Sequence, residues 1–321
     1  MQSSQARFDL KYFIKTGQNI KQMKQIKNVN KSTIASAAIL FAGVLWGCIS
    51  LPVRKLSAEG FAPIQVTFVR LFCAALLLTV YTAVFHRKKL IVKFRDLPLF
   101  AGTGIISIVL FNCCYFYAMI KGEASVAVVL LYTSPMFVML ISRFIFRERF
   151  TWRKIGALLL TIVGCVCVSG FIGNGHRVTP TVFVIGIGSG LFYGLYTIFG
   201  KLALRKYDSQ TVTVYTFIFG VLGSFPLSGI GEMAKSISRK PSIIITGMII
   251  GIFCTLLPYL LYTFGLKYAQ AGKAAVLATA EPLVGAVIGI TVLGEAVNRV
   301  KIAGILLILT AIIILSKEPK E

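Results

Sequence analysis

Ten apolar stretches, each about the length of a membrane-crossing helix, alternate with short polar connections along the whole sequence. They fall at about 33–53, 63–85, 97–120, 124–146, 155–172, 181–201, 211–230, 242–266, 271–293 and 300–316. A bilayer core takes about 20 apolar residues to cross as a helix, so each stretch predicts one crossing. The connections are too short to hold a soluble domain. Of 321 residues, 56% are hydrophobic and only 14% charged, whereas a soluble domain carries about 25% charged residues. The expected fold class is therefore an all-α integral membrane protein with ten transmembrane helices. A soluble enzyme, a disordered chain and a collagen-like fibre are excluded.

The net charge of +23 is spread between the apolar stretches rather than gathered in one domain. That pattern predicts no nucleic-acid partner and sets orientation instead. An even number of crossings puts both termini on one side. With that side taken as the cytoplasm, it holds 23 Lys and Arg against 9 on the other, with Arg70 and Arg143 inside spans. This predicts a multi-pass protein of the inner (plasma) membrane with both termini cytoplasmic. Residues 1–31 read as a basic cytoplasmic tail without a secretory signal, and 317–321 as a short second tail.

Metal and cofactor chemistry finds little support. The two histidines, His86 and His176, lie in connections, and all seven cysteines lie in apolar runs. No Cys/His cluster has ligand spacing, so no metal, cofactor or disulfide is expected. Neither a G-x-x-x-x-G-K-[ST] loop nor a G-x-S-x-G elbow occurs, and no enzyme is predicted.

The two halves align at one ungapped offset of 147 residues. Trp46-Gly47 falls on Tyr193-Gly194, Arg54 on Lys201, Tyr115 on Tyr262, Ser134-Pro135 on Glu281-Pro282, and Glu148 on Glu295. The repeat unit is five spans, 32–174 and 178–316. An odd number makes the second copy enter the membrane from the opposite face. Two inverted five-helix repeats with a site between them near the midplane are the architecture of secondary transporters.

The residues also carry a likeness. Leu45-Trp46-Gly47 followed by Arg54-Lys55, then Arg70, and Ser134-Pro135 followed by Arg147-Glu148-Arg149-Phe150, resemble the ten-helix EamA-type branch of the drug/metabolite transporter superfamily. Glu281-Pro282 and Gly294-Glu295 repeat the pattern in the second half. The resemblance covers about residues 35–316. It implies a carrier of small metabolites, often an exporter of amino acids or related amines.

Within the spans, polar residues are few, and an ionisable group at membrane depth normally faces a cavity or a partner. Glu281 is the only acidic residue deep inside a span. It has three readings: holding a substrate ammonium, exchanging a proton, or a neutral side chain bonded between helices. Arg70 lies about 10 Å into its span by helix rise. It has three: a bidentate fork for a substrate carboxylate, a cation bonded to backbone carbonyls, or one snorkelling to the outer interface. Aromatic side chains at helical spacing suggest a cavity wall, with core packing as the alternative. They are Tyr193 with Tyr196 and Tyr259 with Tyr262, joined by Trp46, Tyr115, Tyr132 and Asn112. The candidate substrate-binding set is Trp46, Arg70, Tyr115, Tyr132, Tyr193, Tyr196, Tyr262 and Glu281. Pro135 and Pro282 stand mid-span as candidate gating kinks, with static kinks as the alternative. Gly186, Gly190 and Gly194, echoed by Gly43 and Gly47, form a stripe for close helix packing. Glu148 and Glu295 sit at span ends beside Arg147, Arg149 and Arg299, where surface pairing or helix termination is the expected role.

The expected activity is alternating-access export of a small amino acid or amine. Two alternatives are an exporter of lipophilic cations and a lipid-handling membrane protein without transport. The expected partners are a small-molecule substrate and the bilayer, with a homodimer allowed.

Overall fold

The computed structural model describes residues 31–122, 124–169, 171, 178–294 and 297–316. The two tails, apart from Lys31, and Glu295 lie outside the described residues. All regular structure within them is helical. Ten helices stand where ten spans are expected: α1 (Lys31–Ala58), α2 (Pro63–Phe85), α3 (Phe94–Lys121), α4 (Ala124–Ile145), α5 (Trp152–Val168), α6 (Pro180–Ala203), α7 (Ser209–Leu227), α8 (Ser242–Tyr268), α9 (Ala271–Thr291) and α10 (Arg299–Ser316). Among the described residues, nine are long and apolar enough to cross a membrane; α5, over the stretch expected at 155–172, has 17 residues.

Local chemistry sets the helix starts. Thr151, Thr179 and Asp208 cap α5, α6 and α7, accepting from Lys154 N at 3.2 Å, Val182 N at 3.3 Å and Thr211 N at 2.9 Å. Such caps satisfy amides that have no partner inside the helix. Pro63 and Pro180 stand in first turns, where a missing N–H does no harm.

Several spans are interrupted. α1 is broken by a turn at residues 48–49, α4 at 132–133 and α9 at 278–279. Pro135 and Pro282 were expected as mid-span kinks. Each stands inside its span at a break, in the first turn of a new helix, Ser134–Ile145 or Ala280–Thr291. The reason is steric: a proline cannot bond to the carbonyl four residues back and crowds it. Those carbonyls belong to Leu131 and Ala278, where the breaks begin. α3 and α8 pass through widened π-helical turns at Gly102–Val109 and Ile252–Leu256, a feature frequent at functional sites.

The glycine stripe packs against the breaks. A Cβ built on Gly190 would lie 3.1 Å from the Leu131 oxygen, and one on Gly43 would lie 3.0 Å from the Ala278 oxygen. Only hydrogen at these positions lets α6 approach the backbone of the α4 break, and α1 that of the α9 break. These two contacts are related by the 147-residue offset. Along the flank, α5 packs on α10, and α2 packs on both α7 and α8.

One helix was not expected. The connection at 231–241 contains an amphipathic helix, Ile230–Arg239. Met233 and Ile237, four apart, bury against a cluster formed by Leu56, Phe61 and Ile243, while Lys240 beyond its end pairs with Glu59 after α1.

Candidate substrate site at the helix breaks

Glu281 is the second residue of the Ala280–Thr291 helix. Its side chain therefore sits at the positive end of a helix dipole. The Tyr193 hydroxyl donates to Glu281 Oε2 at 2.9 Å. Tyr132, buried in the α4 break, turns its hydroxyl toward the same carboxylate. Tyr115 on α3 lies within the field of that charge and packs on Phe111, ring centroids 6.1 Å apart. Phe111 in turn meets Tyr193 edge-on at 5.1 Å.

Beside this group lies a tight aromatic cluster. Trp46 meets Tyr259 at 5.2 Å and Tyr262 at 5.4 Å. Tyr196 meets Tyr259 edge-on at 5.1 Å, as does Phe217 at 5.4 Å. The hydroxyls are partnered between α6 and α8: Tyr196 with Thr263 at 2.8 Å, and Tyr262 with Thr197 at 2.6 Å. Trp46, Phe111, Tyr193, Tyr196, Tyr259 and Tyr262 line a cavity of about 20 Å³. That volume holds about one water molecule, whereas small-molecule sites run to about 300–1,000 Å³. The helices must separate before any metabolite can enter.

Arg70 is 8% exposed on α2, next to the widened turn of α8. No described residue forms a hydrogen bond or an ion pair with its side chain. Its charge is nonetheless felt at both Tyr259 and Glu281. Its guanidinium nitrogens are not among the sealed-off unsatisfied atoms, so its donors stay available to water or to a bound group.

The structure thus gathers Trp46, Tyr193, Tyr196 and Tyr262 around one cavity. It places Tyr115, Tyr132 and Glu281 beside that cavity, and Arg70 within electrostatic reach. Asn112 belongs to the frame: it accepts from Thr67 at 3.1 Å and donates to Ile108 O, in the widened turn, at 2.7 Å. Tyr259 proves more central than the sequence suggested. Phe111, Thr197 and Thr263 went unnoticed; Phe111 is signalled only by its i,i+4 spacing to Tyr115.

Glu148 also departs from expectation. It pairs with Lys201 of α6 at 3.1 Å rather than with neighbouring arginines, and accepts from Ala271 N at 2.7 Å and Gly272 N at 3.1 Å. It thereby joins the end of α4 to the end of α6 and the start of α9.

Known proteins place this architecture. A model of the EamA-like transporter family matches twice, over residues 33–170 and 181–317. The chain belongs to the EamA-like transporter family. It is a multi-pass membrane protein and a transporter. An uncharacterized transporter of Archaeoglobus fulgidus is 26% identical over 90% of this chain and all of its own length. The uncharacterized inner membrane transporter YicL of Salmonella typhimurium is 25% identical over 88% of this chain and 95% of its own. A protein of Streptantibioticus cattleyicolor named "Probable terminal-alkyne amino-acid exporter" is 22% identical over 83% of this chain and 88% of its own. One solved crystal structure superposes with a TM-score of 0.71 at 17% identity, covering 87% of this chain and 95% of that one. That last likeness concerns the fold alone.

Proposed function

We propose that this EamA-family transporter is a secondary carrier that exports a small zwitterionic metabolite of the amino-acid type. The observation that carries the reading is the unpartnered, buried Arg70 on the same interior region as Glu281. A guanidinium fork suits a carboxylate, and a carboxylate flanked by tyrosine hydroxyls suits an ammonium. Trp46, Tyr259 and Tyr262 would then hold the apolar part of the substrate. Outward direction rests on the name of the Streptantibioticus relative. Lipophilic cations are the weaker reading, because Arg70 repels them.

The route is alternating access between two inverted five-helix halves, with α5 as a tenth crossing. Three features support it: the twofold family match, the recurrence of glycine-to-carbonyl contacts at the 147-residue offset, and widened turns at related places in α3 and α8. The charge bias supports cytoplasmic termini in an inner membrane.

Flux into proteoliposomes tests the reading. Amino acids should exchange across the membrane and compete with one another, while primary amines, purines and lipophilic cations should compete poorly. Flux of lipophilic cations unaffected by any amino acid would overturn it.

A further inference from the structure

A second concavity, of about 560 Å³, opens just beyond the ends of α4 and α6. Arg147 and Arg149 line it from the segment after α4, Lys201 and Arg205 from the end of α6 and the residues just after it, and Gln270 from the link between α8 and α9. Among the described residues one carboxylate, Glu148, is on the wall, and its oxygens are taken by Lys201 and two backbone amides. Lys201 in turn donates to Ala269 O at 2.6 Å.

Three exposed guanidinium groups line the cleft without a partner among the described residues. No described residue accepts a hydrogen bond from the side chain of Arg147, Arg149 or Arg205, and none forms an ion pair with them. Arg205 lies over the Phe146 ring with Cζ 5.1 Å from its centroid, and Lys201 Nζ lies 5.6 Å from the same centroid. Exposed cations facing one cleft give it a positive potential that attracts an anion. Planar guanidinium forks match the oxygens of a phosphate group.

Depth decides where such a phosphate comes from. The cleft begins where the apolar spans stop, which is the level of lipid headgroups. Trp152, 87% exposed, and Phe144, 76% exposed, flank it in sequence, and aromatic side chains favour that interface. By the charge count this is the cytoplasmic face, where anionic lipids meet basic pockets between helices.

We propose that this cleft is a phosphate-binding site that takes the phosphodiester headgroup of an anionic lipid. The arginines come from both sides of the cleft, so the bound headgroup ties the end of α4 to the end of α6. It thereby adds to the Glu148–Lys201 pair.

The test uses the full chain in phosphatidylcholine nanodiscs, with Tm and lipid adducts in native mass spectra as readouts. Adding phosphatidylglycerol should raise Tm and give retained adducts. The combined variant Arg147→Asn, Arg149→Gln, Arg205→Gln should bind about 10-fold more weakly or worse, with an unchanged Tm in phosphatidylcholine alone. Arg205→Lys, which keeps the charge and loses the fork, should bind at an intermediate level and serves as the readout if the combined variant does not fold. Inorganic phosphate is the second probe. A shift with phosphate and none with phosphatidylglycerol would keep the site and overturn the lipid as its source. No shift with either probe, or an equal phosphatidylglycerol shift in the variants and the wild type, would overturn the site itself.

Discussion

The Tyr193 hydroxyl on α6 donates to the Glu281 carboxylate at the start of the second part of α9, at 2.9 Å. This bond fixes the carboxylate at the cavity wall. Hydrogen bonds to charged groups are worth about 1.5–3 kcal/mol. Tyr193→Phe keeps the ring against Phe111 and removes only the hydroxyl. Transport should fall by about tenfold or more, with little loss of folding. A rate equal to wild type in proteoliposomes would show that Tyr193 only fills space.

Arg70 should trade stability for activity. Removing a buried charge that has no partner relieves desolvation, and functional sites commonly carry such a cost. Arg70→Met is expected to raise Tm while abolishing amino-acid flux. Thermal unfolding in detergent measures the first effect and proteoliposome flux the second. A lowered Tm would mean that Arg70 serves the fold.

Gly190 marks where helix packing admits no side chain. A Cβ there would come within 2.8 Å of the Leu130 oxygen, and forced overpacking costs about 1–3 kcal/mol. Gly190→Ala should lower Tm clearly. Gly156→Ala is the contrast, since its Cβ would meet nothing within 4 Å. It should leave Tm unchanged or raise it, with a gain of up to about 1 kcal/mol from helix propensity. Equal effects at both sites would contradict the close approach of α6 to α4.

Much of this was legible in the sequence, for identifiable reasons. Apolar length alone predicts the spans. The 147-residue offset singles out Trp46, Tyr193, Tyr115 and Tyr262 as candidates, all of which reach the region of Glu281. The breaks at 132–133 and 278–279 were not legible, because Tyr132-Thr133 and Ala278-Thr279 contain no breaking residue. The cause lies two or three residues on, in Pro135 and Pro282, acting backwards on the carbonyls of Leu131 and Ala278. The partner of Glu148 was hidden for another reason. Lys201 is 53 residues away in sequence, and only the packing of α6 against α4 brings the two together.

Two carboxylates outside the spans link stability to pH. Burial works to raise the Glu148 pKa, but the Lys201 charge and the Ala271 and Gly272 amides outweigh it and hold the group below its ordinary range. At Asp208 burial also opposes, and the Thr211 amide and Lys89 outweigh it. Both folded-state pKa values are thus below the unfolded ones. Their stabilisation is present above the unfolded values, about 3.9 to 4.3, and is lost as pH falls through the folded ones. Wild-type Tm should drop between about pH 5 and 3, and Glu148→Gln with Asp208→Asn should flatten that drop. An identical pH profile in the double variant would rule these groups out as its source.

The central claim is that Arg70 reads a substrate carboxylate. The direct measurement compares flux of an amino acid with that of its decarboxylated amine, in wild type and in Arg70→Gln. The account predicts strong preference for the amino acid in wild type and loss of that preference in the variant. Undiminished amino-acid selectivity in Arg70→Gln would contradict it.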